Sequence, residues 1–451
     1  MSSRPRIPGR GPPRSGRPDR SGPERPQPRQ RRALTQARAG GRIERGGEPA
    51  LADALADALA AAQRESDAGE SLTHGFHTYP ARMHPATARH LFGLAGRADA
   101  AVLDPFCGSG TTLVEARAAG MSALGSDLNP LAVLIARAKT WTAPPARRRT
   151  AWSVGREIAA AAMEEVKAAR RAGYEPSPLR RSGRDPAGRD RAVGEWFAPH
   201  VRRELETLAG MVDEAGERDR EAGDVLRAVL SSILYKVSRR ASDTDPSRVA
   251  RQVARGAAAR LFDRRLAQLF GGLDDLARAR GPMPRVVCAD ARRIGAHVSA
   301  GSADLVLTSP PYAGTYDYAD QHRLRMIFLG LDPRGLERGE IGARPQFGGG
   351  PQRRDRALAD TRTALGAVLV EIARALVSGG RAALVIGDSL AGGEAVRANR
   401  LVADALAGSP AAPDLSLVAW ARQERGTLGR AEARAFTGAA KCEHILLLAR
   451  R

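Results

Sequence analysis

The sequence predicts an α/β fold: a mostly parallel, doubly wound sheet that is interrupted by a helical insert. Short apolar runs with the length of buried strands recur along the chain, and helical patterns separate the earlier ones. A long stretch without any strand pattern then interrupts the series. Such alternation is typical of parallel sheets with helices on both faces. The seven predicted strands lie near residues 101, 122, 286, 304, 382, 415 and 444, and the last two form an antiparallel pair.

The first predicted strand, 101–103, leads into a glycine-rich turn that reads Asp104-Pro105-Phe106-Cys107-Gly108-Ser109-Gly110-Thr111-Thr112, and a helix is predicted from Thr111. Glycines let the backbone approach a ligand closely, and the first amides of the helix face that ligand, which suits a nucleotide-like cofactor. Neither the dinucleotide pattern G-x-G-x-x-G nor a Walker lysine is present. Hydride transfer and phosphoryl transfer are therefore poor candidates.

The second predicted strand, 122–126, ends at Asp127. A carboxylate after the second strand of such a fold lies where it can bind the hydroxyls of a ribose. The third strand, near 286, is followed by Asp290. We therefore expect acidic side chains to line the same edge of the sheet as the glycine-rich turn.

The fourth predicted strand, 303–308, ends at Ser309-Pro310-Pro311-Tyr312. The exocyclic amine of a nucleic-acid base is a poor nucleophile, because its lone pair is delocalised into the ring. Two acceptors that bind its hydrogens draw the pair out of conjugation, and the Ser309 hydroxyl and the Pro310 carbonyl can serve as these acceptors. The prolines make the turn rigid, and the Tyr312 ring offers a surface for a planar base. Since Pro-Pro-Tyr turns also occur in ordinary loops, the motif indicates amine methylation only together with the upstream turn.

In combination, these motifs resemble those of the amino-methyltransferases that use S-adenosyl-L-methionine, especially the DNA N4-cytosine and N6-adenine enzymes of bacterial modification systems. The resemblance covers about residues 70–140 and 285–450. It implies the Rossmann-like class I methyltransferase fold, a seven-stranded mostly parallel sheet with a reversed last strand. It also implies contacts to three parts of the cofactor. The methionine part would be held by the turn that begins at Asp104, through Phe106, Gly108, Gly110 and Thr111, the ribose by Asp127, and the adenine amino group by Asp290. The segment 77–85 is similar to the N-terminal cofactor motif of the family and adds His77 and Tyr79 as cofactor contacts.

In that family, serine before Pro-Pro-Tyr is usual in cytosine-N4 enzymes, and aspartate or asparagine in adenine-N6 and RNA guanine-N2 enzymes. Ser309 therefore favours N4 of a cytosine that is flipped out of double-stranded DNA, with RNA as a less favoured substrate. The resemblance also suggests a cognate restriction enzyme as a partner. A catalytically silent nucleic-acid-binding protein is the alternative from another class, and the intact Ser309–Tyr312 turn argues against it.

Methylation at C5 of cytosine needs a cysteine nucleophile, which commonly follows a proline. None of Cys107, Cys288 and Cys442 follows a proline, so none fits that role.

A net charge of +21 and a pI near 11.1 favour a polyanionic partner. Only four of the 71 basic residues are lysine, however, and GC-rich coding produces the same arginine bias. The charge therefore supports a nucleic-acid partner but does not prove one. Three cysteines, no secretory leader and no apolar run near twenty residues predict a cytoplasmic protein without membrane contact. The isolated cysteines and histidines predict no metal site.

The sequence divides into four predicted parts. Residues 1–50 form a disordered Arg/Pro/Gly-rich tail, 51–141 the first part of the catalytic domain, 142–283 a helical insert, and 284–451 the second part. The insert is either a target-recognition region or a helical cap that covers the cofactor or forms a dimer contact. Its strongest candidates for phosphate contacts are Arg239, Arg240, Arg248, Arg251 and Arg255. A helix is predicted over 50–64 and a mobile loop over 337–360.

Overall fold

The computed structural model describes residues 39–172, 194–242, 245–279, 281–426 and 428–451. An eight-stranded sheet lies at the centre of this part of the chain. Its strands, together with two short hairpins, are β1 (Ala39–Gly47), β2 (Ala101–Asp104), β3 (Ser122–Asp127), β4 (Arg240–Ser242), β5 (Asp245–Arg248), β6 (Arg285–Cys288), β7 (Ala303–Thr308), β8 (Leu376–Gly387), β9 (Ser389–Ala391), β10 (Glu394–Val396), β11 (Leu415–Arg425) and β12 (Cys442–Arg450).

Helices cover both faces of the sheet and form the insert. They are α1 (Pro49–Arg64), α2 (Pro85–Leu91), α3 (Thr111–Ala118), α4 (Pro130–Thr140), α5 (Pro145–Arg171), α6 (Pro199–Arg218), α7 (Arg220–Val237), α8 (Ala257–Ala277), α9 (Tyr318–Leu329), α10 (Arg334–Gly339), α11 (Pro351–Ala375), α12 (Ala398–Ala407) and α13 (Arg430–Ala435). Short 3₁₀ helices span Ser66–Glu70, Phe92–Ala95, Ala291–Ala296 and Arg344–Phe347.

The sheet order is β6-β3-β2-β7-β8-β12-β11-β1. The first five of these strands are parallel, and β12 lies antiparallel between β8 and β11. A doubly wound parallel sheet with a reversed last strand is the predicted class I methyltransferase architecture, which is therefore confirmed. All seven predicted strands are present, and β1 adds an eighth at the edge beside β11.

Strand β1 corrects the prediction that residues 1–50 form a disordered tail. Residues 39–47 pair antiparallel with β11, although their sequence is rich in glycine and arginine. Pairing uses backbone groups, so a segment with one large apolar side chain, Ile43, which packs against the core, can add an edge strand. A Cβ atom on Gly46 would lie 2.9 Å from the Trp420 ring, so glycine is needed for this close approach. Residues 1–38 of the predicted tail lie outside the described residues.

Neighbouring residues of each central strand point to opposite faces, as the pleat requires. Val102 and Leu305 pack in the cluster that contains α1 and α2, whereas Leu103 and Val306 pack with α11 and α12. Strands that are buried on both faces read as continuous apolar runs, which is why they were recognisable in the sequence.

Helices α5 to α8 confirm the helical character of the insert. They share one hydrophobic cluster with α4 and α9, so the insert packs beside the core sheet. The last insert helix begins at Ala257, because the hairpin β4–β5 precedes it. Residues 173–193 of the insert lie outside the described residues.

The prediction of a mobile loop over 337–360 is wrong. The segment contains the end of α10, the 3₁₀ helix Arg344–Phe347 and the start of α11. Phe347 is buried in the core and anchors the segment, whereas its many glycines and arginines had indicated a loop. Among the described residues, no helix is long and apolar enough to cross a membrane, and no group of three or more His, Cys, Asp and Glu side chains could bind a metal.

Substitution of Leu55 by alanine tests the packing of α1 on the sheet. Leu55 is fully buried in the cluster beneath β11. Its loss leaves a cavity, so we expect the free energy of unfolding, measured by urea denaturation, to fall by about 2–5 kcal/mol. The matched control is Leu417→Ala, because Leu417 is 48 % exposed. We expect a change within about 0.5 kcal/mol there, and equal losses in the two variants would contradict the packing of α1.

Candidate active site

A cleft opens at the edge of the sheet where β2, β3, β6 and β7 have their carboxyl ends. It encloses about 890 Å³ of empty space, including open solvent at its mouth. Both sequence motifs contribute to it, although they are separated by about 200 residues. The predicted residues that line this cleft are Tyr79, Asp104, Phe106, Gly108, Thr111, Asp127, Asp290, Ser309 and Pro311.

The glycine-rich turn is held in place by its own backbone and by β3. The Cys107 amide donates to the Ser126 carbonyl at 2.9 Å, and the Gly110 amide donates to the Cys107 carbonyl at 2.8 Å. Gly108 and Gly110 have φ angles of 51° and 83°, a region that favours glycine. The turn thus brings backbone to the cleft and starts α3 beside it.

A direct hydrogen bond joins the two motif strands. The Thr308 hydroxyl donates to Asp104 Oδ1 at 2.6 Å, and the Phe106 amide donates to the same oxygen at 3.2 Å. Asp104 is almost completely buried, and burial raises its pKa to about 6 although the Thr308 and Thr112 hydroxyls oppose that change. The carboxyl group therefore ionises near neutral pH.

Asp127 binds the glycine-rich turn and starts the next helix. Its Oδ2 accepts a hydrogen bond from the Gly108 amide at 2.9 Å, and its Oδ1 accepts one from the Asn129 amide at 2.8 Å. Burial raises the pKa of Asp127 to about 6 despite these two donors. Asn129 also donates to the Tyr79 hydroxyl at 3.3 Å, which positions the Tyr79 ring at the cleft.

Asp290 caps the 3₁₀ helix Ala291–Ala296 and forms a close ion pair. Its carboxylate accepts from the Arg292 amide at 2.9 Å and from Arg292 Nη2 at 2.6 Å. Burial opposes ionisation of Asp290, but the hydrogen bonds and the charge of Arg292 outweigh it and lower the pKa of the carboxyl group. Asp290 thus stays ionised at the cleft, and Arg292 also donates to the Gly339 carbonyl on its opposite wall.

In the turn Ser309-Pro310-Pro311-Tyr312, which was predicted to be catalytic, Ser309 and Pro311 line the cleft. Tyr312 is buried, and its hydroxyl donates to Glu443 Oε1 at 2.5 Å. Glu443 also accepts from Arg425 Nη2 at 3.2 Å, so Tyr312 is part of a buried polar network. Burial and Glu443 raise the pKa of Tyr312 well above its usual range, and the Ser309 hydroxyl is within hydrogen-bonding contact of it.

Four predicted site residues do not line the cleft: His77, Gly110, Pro310 and Tyr312. The prediction that His77 contacts the cofactor is wrong for this arrangement, since its ring binds the Ser231 hydroxyl at 3.0 Å and the Thr78 carbonyl at 2.8 Å. Gly110 instead packs against Ala136 of α4. The Tyr312 ring lies behind the cleft surface, whereas Tyr79, Phe106 and Tyr318 are the aromatic residues that line it in the described chain.

Several residues at the cleft were not predicted, and Glu340 is the most informative. Its carboxylate accepts from the Tyr318 amide at 2.9 Å, and burial raises its pKa to about 7. Tyr318 stacks with Tyr79 at 6.2 Å between ring centroids. No local pattern marks Glu340, because its role depends on how α10 packs against the cleft.

Two polar atoms at the cleft have no hydrogen-bond partner in the structure. They are Arg82 Nε and Ser109 Oγ, and both residues line the cleft. Arg82 Nη1 donates to the His74 carbonyl at 2.5 Å, which holds its guanidinium in place. A buried polar group without a partner is costly, so these atoms are ready to bind a polar ligand.

The cleft is acidic, in contrast to the chain as a whole. Asp104, Asp127, Asp290 and Glu340 line it, and Arg82 is the one basic residue that the described chain contributes to the lining. Buried carboxylates repel one another and lack full solvation, and a positively charged ligand relieves both costs. The cleft therefore suits a ligand with cationic, hydroxyl and amino groups.

Comparison with known proteins relates the first part of the chain to DNA methyltransferases. Residues 57–138 match the model of the DNA methylase family of N6 and N4 methyltransferases. The type II methyltransferase M.MvaI of Kocuria varians is 40 % identical over 81 residues, which are 17 % of this chain and 18 % of that protein. The type II methyltransferase M.MjaII of Methanocaldococcus jannaschii is 35 % identical over 66 residues, which are 15 % of this chain and 12 % of that protein.

The chain thus spans less than a fifth of the length of these two relatives. Among solved structures, TrmN from Thermus thermophilus is similar with a TM-score of 0.30 and 13 % identity, over 82 % of this chain and 49 % of that one. The rRNA methyltransferase aviRa from Streptomyces viridochromogenes is similar with a TM-score of 0.31 and 13 % identity, over 86 % of this chain and 94 % of that one. The matched region 57–138 contains the glycine-rich turn and Asp127 but neither Asp290 nor Ser309.

Proposed function

We propose that this chain transfers a methyl group from S-adenosyl-L-methionine to the exocyclic amine of a base in DNA, with N4 of cytosine as the preferred acceptor. The observation that carries this proposal is the single cleft to which the glycine-rich turn, Asp127, Asp290 and Ser309 all contribute. The similarity of residues 57–138 to DNA methylases supports it from an independent direction.

The residues of the cleft fit S-adenosyl-L-methionine. Asp127 and Asp290 offer acceptors for ribose hydroxyls and for the adenine amino group, as the family resemblance implies. Asp104 and Glu340 add negative charge for a sulfonium and an ammonium group. Arg82 Nε and Ser109 Oγ, which have no partner in the structure, are donors suited to a carboxylate.

When bound, S-adenosyl-L-methionine supplies an electrophilic methyl group to this cleft. The chain's own part is to hold the acceptor amine, for which the Ser309 hydroxyl and the Pro310 carbonyl are the proposed hydrogen-bond acceptors. These bonds strengthen as positive charge develops on the amine, so they stabilise the transition state more than the ground state. Fixing the amine beside the methyl donor contributes the remaining acceleration through proximity.

We propose that transfer is direct and needs no nucleophile from the chain. Cys107, which is part of the glycine-rich turn, is buried, and burial raises the pKa of its thiol well above the usual range. It therefore remains a thiol at neutral pH. Its side chain instead packs against Gly125, where a Cβ atom would lie 2.9 Å from Cys107 Cβ, so its role is to support the turn.

The preference for cytosine rests on Ser309, a neutral acceptor at the position where the related adenine-N6 enzymes usually have aspartate or asparagine. Base flipping is part of the proposal, because an amine that is stacked and paired inside the DNA duplex cannot enter the cleft unless its base is turned out. Tyr79 and Tyr318, which line the cleft, and Tyr312 at its rear are the aromatic candidates for contact with the flipped base. A cognate restriction enzyme is the proposed biological partner.

The insert is our candidate for target recognition, because it contacts the helix that borders the cleft. The Tyr235 hydroxyl of α7 donates to the Gln321 carbonyl of α9 at 2.5 Å. Helix α9 begins at Tyr318, which lines the cleft. A duplex seated at the cleft would therefore lie beside α7 and the hairpin β4–β5.

Paired substitutions separate the two halves of the site. We expect Ser309→Ala to lower the turnover number by about 10²-fold or more while the Kd for S-adenosyl-L-methionine changes little, because Ser309 acts on the amine. We expect Asp127→Ala to raise that Kd by at least about tenfold, because two ribose hydrogen bonds are lost. Calorimetric titration and single-turnover methylation measure the two quantities. Equal losses of cofactor affinity in both variants would contradict the proposed roles.

The acceptor base is tested by mass spectrometry of nucleosides from DNA of a host with and without this gene. We expect N4-methylcytosine to appear only when the active gene is present, and the Ser309→Ala variant to abolish it. N6-methyladenine in its place would overturn the cytosine preference but support amine methylation. Methylation of RNA alone would overturn the choice of DNA, and cofactor binding without any transfer would favour a silent binding protein.

Cofactor affinity is expected to depend on pH because of the raised carboxyl pKa values. Asp104 and Asp127, with pKa values of about 6, are protonated below that pH and then no longer attract a cation. The Kd for S-adenosyl-L-methionine should therefore fall as pH rises from 5 to 7, by up to about tenfold per pH unit for each carboxyl that must ionise. In Asp127→Asn the dependence should flatten. A Kd that does not change between pH 5 and 7 in the wild-type chain would show that neither carboxylate is required.

A further inference from the structure

A second, open groove lies beside the cleft and has the opposite electrostatic character. It is lined by Gln346, Gln352, Arg353, Arg356, Ala357 and Asp360, which we call the α11 groove. Residues 353, 356 and 360 follow one face of α11, because residues three and four apart on a helix are neighbours. Gln346 belongs to the 3₁₀ helix opposite.

The turn between these two helices explains the shape of the groove. Gly349 and Gly350 have φ angles of 95° and 103°, which other residues rarely adopt, and they reverse the chain between Phe347 and α11. Phe347 is buried in the core, so the floor of the groove is anchored. The polar side chains of both helices are left exposed above it.

The α11 groove adjoins the cleft through direct hydrogen bonds. Gln346 Nε2 donates to the carbonyl of Glu340, a residue of the cleft wall, at 3.2 Å. The Arg344 amide donates to the Tyr316 carbonyl at 2.8 Å, and the Gly314 amide donates to the Gly342 carbonyl at 2.9 Å. The groove is thus joined to the loop that follows the catalytic turn.

Three exposed arginines have no carboxylate partner among the described residues: Arg353 and Arg356 in the lining of the groove, and Arg344, which lies two residues before Gln346 outside that lining. Their neighbours behave differently, since Arg354 pairs with Asp355 and Arg334 pairs with Asp332. Asp360 is the one acidic residue of the lining, so the groove with Arg344 remains positive. Unpaired guanidinium groups beside exposed amides are a typical arrangement for phosphodiester and base-edge contacts.

Two of the five predicted insert arginines are not free to contact phosphates. Arg240 is 3 % exposed and lies over the rings of Trp196 and Tyr235. Arg251 donates to the carbonyls of Tyr235 and Lys236. The prediction that Arg240 and Arg251 contact phosphates is therefore wrong, because both stabilise the insert itself. Arg239 and Arg255 are exposed, and Arg248 pairs with Glu195.

We propose that the α11 groove binds the sugar-phosphate backbone of duplex DNA next to the flipped base, with Arg344, Arg353 and Arg356 as phosphate contacts. This inference rests on the proposed function. It assigns a docking surface for DNA beside the cleft, where the duplex would be held next to its extruded nucleotide. The charges of the groove and of the backbone are complementary.

The test compares the full-length wild type with the double variant Arg353→Gln/Arg356→Gln. Binding to a duplex oligonucleotide is followed by fluorescence anisotropy over a range of KCl concentrations. Loss of two phosphate contacts should reduce the slope of log K against log[KCl] by about 1.8 and weaken binding at low salt. The Kd for S-adenosyl-L-methionine should stay unchanged, which also shows that the variant is folded. The variant Arg353→Lys/Arg356→Lys keeps both charges and should retain most of the wild-type slope.

The matched control is Arg97→Gln/Arg285→Gln, which removes the same charge at the opposite edge of the sheet, where β2 and β6 begin. A slope reduced as much in this control as in the groove variant would overturn the proposal, as would an unchanged slope in the groove variant. If the arginines matter for single-stranded or structured RNA but not for the DNA duplex, the proposed partner is wrong. If the wild type methylates DNA while the groove variant binds as tightly as wild type, only the groove inference fails. If the wild type does not bind S-adenosyl-L-methionine, the proposed function fails.

Discussion

The structure depends on one constraint: β2 and β7 are neighbouring parallel strands, and their ends are joined by the hydrogen bond from Thr308 to Asp104. Parallel neighbours place their carboxyl ends at one edge, so the residues that follow them must meet there. The glycine-rich turn and the catalytic turn are therefore brought together despite about 200 residues of intervening chain. A strand order that did not place β2 beside β7 would separate the two turns.

Charge is distributed unevenly over the molecule, and the acidic cleft and the basic α11 groove suit different ligands. The chain carries a net charge of +21, yet the cleft is lined by four carboxyl groups. Burial makes Asp104, Asp127 and Glu340 costly to ionise, and a cationic ligand offsets that cost, whereas Arg292 keeps Asp290 ionised. The exposed guanidinium groups of the α11 groove lie outside the cleft. A small cation and a long polyanion could then bind side by side without competing for the same charges.

Much of the fold was predictable because its signals are local. The strands of the sheet are buried on both faces and read as apolar runs, and the turn after Asp104 has the glycines that its positive φ angles require. The two incorrect predictions about the fold share a cause, because both segments are ordered by contacts with distant parts of the chain. Strand β1 forms through backbone pairing with β11, which no side-chain pattern reveals, and Phe347 turns a glycine-rich and arginine-rich segment into ordered structure by burying one ring.

The sequence by itself determined the strand-turn-helix units and the chemistry of the residues that end them, because both depend on neighbours only a few positions away. The tertiary structure alone decided which side chains face the cleft. The Tyr312 hydroxyl binds Glu443, whereas Tyr318 and Glu340 line the cleft. His77 binds Ser231 of the insert and does not line the cleft. Those choices depend on contacts between distant segments, where burial and hydrogen bonding are settled only once the helices pack.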